Sequence, residues 1–223
     1  ARVPFSVALC APVSIFLMDE IFSVGDARFQ RKCLNRLRAL RSYAIAVIAL
    51  EDLIHRVDQG KRLRAVEVKR PLQDLIGVAR ECPELLMALV HLKRHKTSVA
   101  HHLVNTTVLT ICMTRRSELA RTARSELAMI AILHCFGRAF VAPDGGESAQ
   151  SLEQRYALES VRKLATAAAM NTRTLGRLVV ANETRMWASR RADAENADYP
   201  FDTGTAARLI AVAHAYDLLT TPR

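Results

Sequence analysis

Aromatic residues are scarce in this sequence: 223 residues include one Trp, four Tyr and seven Phe. Proteins that bind single-stranded nucleic acid commonly stack bases on aromatic side chains, so this scarcity argues against that class. The sequence also lacks a glycine-rich phosphate loop. It has no nucleophile-elbow motif, which leaves Ser/His/Asp catalysis without support.

Cysteine is sparse and irregularly spaced. An odd, scattered set without any CxxC pair is typical of reduced thiols in a cytosolic protein. We therefore expect free cysteines and a cytoplasmic location. The five residues are Cys10, Cys33, Cys82, Cys112 and Cys135.

The sequence has no long uninterrupted apolar run. Its longest apolar stretch covers residues 3–18 and contains Pro4 and Pro12. The stretch is shorter than the roughly 20 residues that a membrane-spanning helix needs. It also lacks the basic leader of a signal peptide. We expect a buried segment there and no membrane partner.

Apolar and basic residues are plentiful. Half of the residues are apolar, which is enough to build a sizeable core. The formal net charge is +10, and this favours anionic partners such as nucleotides, nucleic acid or an acidic protein surface. The basic residues are spread along the chain and form no basic tail.

Helical spacing of apolar residues predicts an all-α fold. One long amphipathic helix is expected over residues 27–57, with Gly60 as its stop. No segment shows sustained strand alternation, and Gly145-Gly146 and residues 192–204 predict loops. The apolar stripe of the long helix comprises Leu34, Leu37, Leu40, Ala44, Val47, Leu50, Ile54 and Val57. Further helices are expected over about 72–79, from Pro83 to about 90, and over about 98–115, 122–136, 150–169, 172–190 and 204–219.

Three sequence blocks carry a family resemblance. They read ECPELLMALVHLKRHKTSVAHHLVNTTVLTICMTRR from residue 81, AILHCFGRAF from residue 131 and ARLIAVAHAYDLLTTPR from residue 207. The first resembles the opening of an HD-GYP domain, with a proline-led helix followed by a His-x-x-Asn helix at His102 and Asn105. The second is similar to the family's Leu-Leu-His-Asp-Ile-Gly-Lys, and the third to its closing Ala-Val-Ala-Asp-x-Tyr-Asp-Ala-Leu-Thr helix. HD-GYP domains are all-helical cyclic di-GMP phosphodiesterases of bacteria.

The resemblance divides the chain in two. Residues 82–223 correspond to a degenerate HD-GYP-like domain, with truncation at its C-terminal end left open. Residues 1–81 are expected to form an N-terminal helical extension. We expect its long helix to pack on the HD-type bundle or on its copy in a homodimer.

The resemblance places four capable metal ligands in the family's positions. The family's first metal-binding His stands at His102, and the His of its His-Asp pair at His134. The Asp of that pair is replaced by Cys135, and the final family Asp by His214.

Other family positions have lost their ligands. The next family His aligns with Arg155, two paired histidines align with Ala181 and Asn182, and the Lys after the His-Asp motif is Arg138. The GYP loop survives only as residues 198–200. Because the metal ions of this family activate the attacking water, the resemblance implies that hydrolysis of cyclic di-GMP is lost.

The cofactor prediction has two alternatives. The first is that the domain holds no cofactor, since a Cys beside a His at the end of an apolar helix is commonly a small buried hydrophobe and Arg155 would take the place of a cation. The second is a single structural Zn²⁺ held by His102, His134, Cys135 and His214, because three imidazoles and a thiolate suit tetrahedral zinc. His101 is expected to point about 100° away from His102.

The leading functional interpretation is a catalytically inactive HD-GYP-like signalling module that acts through a signalling protein partner. It would also bind cyclic di-GMP or another nucleotide without hydrolysing it. Arg138, Arg155 and Arg185 are candidate phosphate ligands because guanidinium matches phosphate oxygens, the alternative being ordinary surface charges. Asp217 is expected to pair with an arginine. Two other classes stay open: a single-metal phosphohydrolase of the HD superfamily and a basic nucleic-acid-binding protein.

Overall fold

A computed structural model describes residues 26–91, 98–168, 172–186 and 203–221. Every regular element in these ranges is helical, and the all-α prediction is confirmed. No helix in the described ranges is long and apolar enough to cross a membrane. The helices are α1 (Ala27–Asp58), α2 (Ala65–Glu81), α3 (Pro83–His91), α4 (Val99–Met113), α5 (Arg121–Leu133), a 3₁₀ helix (Phe136–Ala139), α6 (Ala149–Ala167), α7 (Thr172–Met186) and α8 (Thr203–Thr220).

Helix α1 begins and ends as its sequence predicts. The Asp26 carboxylate accepts a hydrogen bond from the Phe29 amide at 2.8 Å and so satisfies a first-turn N–H group. Gly60 follows the helix with a φ of 73°, a conformation that glycine adopts without steric cost. The prediction that Gly60 stops this helix is confirmed.

The buried face of α1 differs in part from the predicted stripe. Leu34 is 55% exposed and Ala44 is also exposed, whereas Ala39 and Ala46 are buried. Helices α2, α3 and α4 pack on α1, and small side chains on the contact face let helices approach closely. Packing within the chain therefore buries small residues that the apolar spacing did not single out, and it keeps Val47, Leu50 and Val57 of the predicted stripe.

Apolar residues remain exposed on α1: Leu34, Ile45 and Ile48. The intrachain packing of α1 accounts for its buried face. The homodimer alternative stays a prediction.

Helix α2 is longer than predicted. It begins at Ala65 and contains Pro71, whereas the sequence indicated a helix over about 72–79. A proline inside a helix removes one hydrogen bond. Pro71 is buried, and burial of its apolar ring offsets part of that cost.

Helix α4 lies at the centre of the bundle, with every residue from His102 to Ile111 buried. Two buried threonine hydroxyls on this helix bond to backbone carbonyls one turn earlier: Thr107 Oγ1 donates to the Leu103 oxygen at 2.7 Å, and Thr110 Oγ1 donates to the Thr106 oxygen at 2.8 Å. A buried hydroxyl without a hydrogen bond would destabilise the fold, and these bonds avoid that penalty. Such a helix can present polar side chains to a dry interior.

The main core continues across the proposed boundary at residue 82. One hydrophobic cluster includes Leu50 of α1, Leu75 of α2, Leu103 of α4 and Leu164 of α6. In a second hydrophobic cluster, α8 packs on α5 and α7. This cluster consists of Leu127, Ile130, Ala131, Val180, Ala206, Ala207 and Ile210. The N-terminal helices therefore share a core with the helices that follow them.

Some predicted features lie outside the described residues: the apolar stretch 3–18, Cys10 and the residual GYP segment 198–200. The four described cysteines are free thiols, in agreement with the expectation of reduced cysteine. They are Cys33, Cys82, Cys112 and Cys135.

Candidate metal centre

Helices α4 and α8 and the end of α5 bring three histidines and a cysteine together. His102 lies on α4, His134 follows the last residue of α5, and His214 lies on α8. With Cys135 they offer four ligand atoms, all within 4.8 Å of one another. We call this group the His–Cys cluster. It can hold a metal ion.

Both His102 and His134 are held by bonds from their Nδ1 atoms. His102 Nδ1 lies 2.7 Å from Asp217 Oδ2, and His134 Nδ1 lies 2.6 Å from the Ala131 carbonyl oxygen. A carboxylate and a carbonyl only accept hydrogen bonds, so each Nδ1 carries the proton. In each neutral ring the Nε2 lone pair is therefore available for a metal.

The third imidazole faces both of these lone pairs. His214 Nδ1 lies 2.9 Å from His102 Nε2 and 2.9 Å from His134 Nε2. One proton on His214 Nδ1 can point at only one of the two lone pairs. A metal ion would instead accept electron pairs from all three nitrogens. Zn–N bonds of about 2.0–2.1 Å in a tetrahedron separate the nitrogens by about 3.3–3.4 Å. The two nitrogen–nitrogen distances would therefore have to increase by roughly 0.4 Å to admit zinc.

Cys135 is positioned by the tight turn after α5. It is fully buried and precedes the 3₁₀ helix. In that helix the Gly137 amide donates to Ser160 Oγ at 2.6 Å, and a Cβ atom on Gly137 would lie 2.2 Å from the Tyr156 carbonyl oxygen. Only glycine fits this approach to α6, so Gly137 holds the turn that carries His134 and Cys135.

The His–Cys cluster is largely closed to solvent. His134 and Cys135 have no exposed surface, His102 is 5% exposed, and His214 is half-buried. A catalytic metal site needs an open position for a water or a substrate, whereas a structural site with four protein ligands does not. The burial and the donor set match a structural site.

A hydrogen-bonded polar layer lies behind His102. Tyr43 of α1 donates from its hydroxyl to Asn105 Oδ1 at 2.6 Å. Burial, and then the negative charge of Asp217, raise the pKa of Tyr43 well above its usual value. The phenol therefore stays protonated and keeps donating to Asn105, which fixes the α1–α4 contact beside the cluster.

Asp217 is the neighbour of the cluster that sequence reasoning did not connect with His102. An arginine partner was expected, and the structure pairs its carboxylate with His102. Carboxylates that accept a hydrogen bond from a metal-binding histidine orient the ring and raise its basicity. His214 and Asp217 are three residues apart in α8, so both can face α4. That spacing is the signal that could have identified Asp217.

Two of the three candidate phosphate ligands have described side-chain contacts. Arg155 donates to Asp144 Oδ2 at 2.8 Å and Glu147 Oε2 at 2.6 Å, so two carboxylates occupy its guanidinium. Arg138 lies over the Tyr156 ring at 5.8 Å. Arg185 belongs to α7, and its side chain is outside the described part of the chain.

The other residues aligned with lost family ligands also lie on α7. Ala181 is buried and Asn182 is exposed. His101, next to His102, has its Nδ1 atom 2.8 Å from Ser98 Oγ at the start of α4. It is not one of the cluster ligands, as its helical position predicted.

Comparisons with known proteins leave the family of this chain unassigned. No protein-family model matches it, and no solved structure matches it. One segment of 47 residues is 38% identical to the ABC transporter protein AbcA of Aeromonas salmonicida. That segment is 21% of this chain and 15% of the transporter protein, a share too small to show a family.

Proposed function

We propose that this chain is a non-hydrolytic HD-type signalling module whose bundle is fastened by one structural Zn²⁺. The observation that carries the proposal is the convergence of His102, His134, Cys135 and His214 in a nearly closed site. A zinc ion there would join α4, the turn after α5 and α8. Metal binding would then be part of the folding free energy.

Two arguments support a structural ion over a catalytic one. The donor set is three imidazoles and one thiol, which suits zinc better than the harder ions that prefer oxygen ligands. Buried surroundings around His134 and Cys135 leave no room for a phosphoester at those two ligands. The zinc would hold the bundle together, and the signal would pass through the protein surface to a partner.

The HD-type assignment rests on the sequence resemblance. The four cluster residues stand where the resemblance puts family ligands, with Cys135 and His214 in place of aspartates. Nucleotide binding at Arg155 is disfavoured because Asp144 and Glu147 already hold this side chain. Protein interaction is therefore the primary mode in this proposal, in a cytoplasmic setting.

One experiment on the full chain tests both parts. Protein purified without chelators or metal-affinity resin is analysed for bound metals and then incubated with cyclic di-GMP and Mn²⁺, Fe²⁺ or Mg²⁺. We expect close to one zinc per chain, less zinc in Cys135→Ser, and no linear dinucleotide or GMP. Cys33→Ser, which changes a buried cysteine outside the cluster, is the control and should keep its zinc.

Two results would overturn the proposal. An unchanged zinc content in Cys135→Ser would show that the Cys135 thiolate is not a zinc ligand. Turnover of cyclic di-GMP that His134→Ala abolishes would establish the phosphohydrolase alternative.

A further inference from the structure

Helices α2, α5 and α7 border an open groove of about 1020 Å³. We call it the α2–α5 groove. Small-molecule sites are commonly about 300–1,000 Å³ in volume, so this groove is at the large end of that range. It is separate from the His–Cys cluster, none of whose ligands lines it.

The floor of the groove is aliphatic. Five buried side chains line it, and each retains between 4 and 9% of its surface exposed, as expected where they border a cavity. None of the described residues that line the groove is aromatic, so no platform for stacking a nucleotide base is present there. The floor residues are Ile76, Met129, Leu133, Leu164 and Leu178.

The rim of the groove is positively charged. Lys69, Arg80, Arg121 and Arg124 line it, and within the described ranges none of them has a carboxylate partner. Glu126 is the single acidic residue among the described residues that line the groove, and it is held by Arg177 with an Nη2–Oε2 distance of 2.9 Å. The charge of the rim is therefore complementary to an anion.

Hydrogen-bond donors are available at the start of α5. Arg124 Nε is buried and has no acceptor within the described part of the chain. Its Nη2 atom makes only long bonds, of 3.4 Å and 3.5 Å, to backbone oxygens. Ala120 precedes the helix and has no side chain that could cap the first-turn amides. Arg121 and Thr122, in this first turn, also line the groove.

We propose that the α2–α5 groove binds a single-chain amphiphile with an anionic head group, a phosphate or a carboxylate. The aliphatic floor takes the chain, and the guanidinium groups of Arg80, Arg121 and Arg124 take the head group. A nucleotide would leave its bases without stacking partners. An inorganic anion would leave the apolar floor uncovered. This site does not depend on the proposed zinc.

Titration calorimetry on the full chain tests the proposal with decyl phosphate and decanoate, both below their critical micelle concentrations. Inorganic phosphate, which has no chain, and decanol, which has no charge, are the matched probes. We expect saturable binding of one decyl phosphate or decanoate per chain and much weaker binding of the other two. Comparing the two anionic probes distinguishes a phosphate head group from a carboxylate.

Paired charge variants locate the binding site. Arg80→Gln combined with Arg121→Gln should weaken binding of decyl phosphate about tenfold, since each exposed ion contact contributes a few-fold. The control combines Arg70→Gln with Arg116→Gln, two exposed residues outside the groove, and carries the same change in net charge. Circular dichroism and thermal melting verify that both variants fold.

Three outcomes would overturn the proposal. Decyl phosphate and decanoate could both fail to saturate the folded protein. The groove and control variants could lose the same affinity, which would indicate attraction by net charge alone. Cyclic di-GMP could displace decyl phosphate at lower concentration, which would make the groove a nucleotide site.

Discussion

The His–Cys cluster and the α2–α5 groove both involve α5, and their chemistry is opposite. His134 follows the last residue of this helix, whereas Met129 and Leu133 face the groove. In the cluster, lone pairs converge within hydrogen-bond distance because Asp217 and a backbone carbonyl hold the rings. In the groove, Lys69, Arg80 and Arg121 carry positive charges that are exposed to solvent.

The difference shows how one bundle accommodates polar groups in two ways. Burying a polar atom without a hydrogen bond costs free energy, so the cluster depends on its hydrogen bonds and would gain from the ion that we propose for it. Exposed charges such as Arg80 and Arg121 are solvated and need no partner to be stable. Substitutions should therefore affect the cluster through folding and the groove rim mainly through binding.

The largest effect is expected for His134→Ala. This fully buried residue holds the end of α5 against His214, and its loss removes a ligand and opens a cavity. We expect metal loss and destabilisation of about 3 kcal/mol or more. The melting temperature should fall by roughly 6–12 °C. His101→Ala, on the solvent side of α4, is the control and should cost less than about 1 kcal/mol.

Calorimetric melting of the two histidine variants, with metal analysis, decides this prediction. Equal stability and equal metal content in both variants would show that the cluster contributes nothing to folding. Substitutions in the cluster would then not act through folding, and the cluster would not differ from the groove in this respect.

A smaller effect is expected for the charge pair at the groove wall. Arg177 donates to Glu126 through Nε and Nη2, and the two side chains are 18% and 11% exposed. Arg177→Met leaves the Glu126 carboxylate poorly solvated, and we expect a loss of about 2 kcal/mol in the free energy of unfolding.

A matched control exists in Arg162→Met, which breaks a two-bond pair with Glu159 at a side chain that is 69% exposed. Denaturant unfolding should show a loss below about 1 kcal/mol for the control. Similar losses in both variants would mean that burial at the groove wall does not strengthen the Arg177 pair.

The third effect is expected for Asp217→Asn, and it concerns metal affinity. The amide oxygen can still accept from His102 Nδ1, but the negative charge that favours a protonated Nδ1 is gone. We expect metal affinity to fall about tenfold to a hundredfold while the fold is kept. Asp74→Asn, at an exposed position of α2, is the control.

Competition with a zinc-binding dye measures both aspartate variants. An unchanged affinity in Asp217→Asn would show that this carboxylate does not tune the cluster. Equal loss in Asp74→Asn would indicate an effect of net charge.

Sequence reasoning identified the four residues that form the cluster and did not identify the groove. The cluster residues were identified because three blocks resemble one family and each block carries a His. The groove residues gave no such pattern, since Lys69, Arg80 and Arg121 resemble ordinary solvated charges on their own helices. Only the packing of α2, α5 and α7 shows that they share a cavity.

Local chemistry in the sequence determined the helical class, the cap at Asp26 and the stop at Gly60, because hydrogen bonds and φ preferences act within a few residues. Tertiary structure decided which α1 stripe is buried, where α2 begins and what Asp217 contacts. It also decided the convergence of His214 on His102 and His134, which are 112 and 80 residues away in the sequence. Spacing in the sequence sets the face of a helix, but only packing between helices sets the distance between two nitrogens.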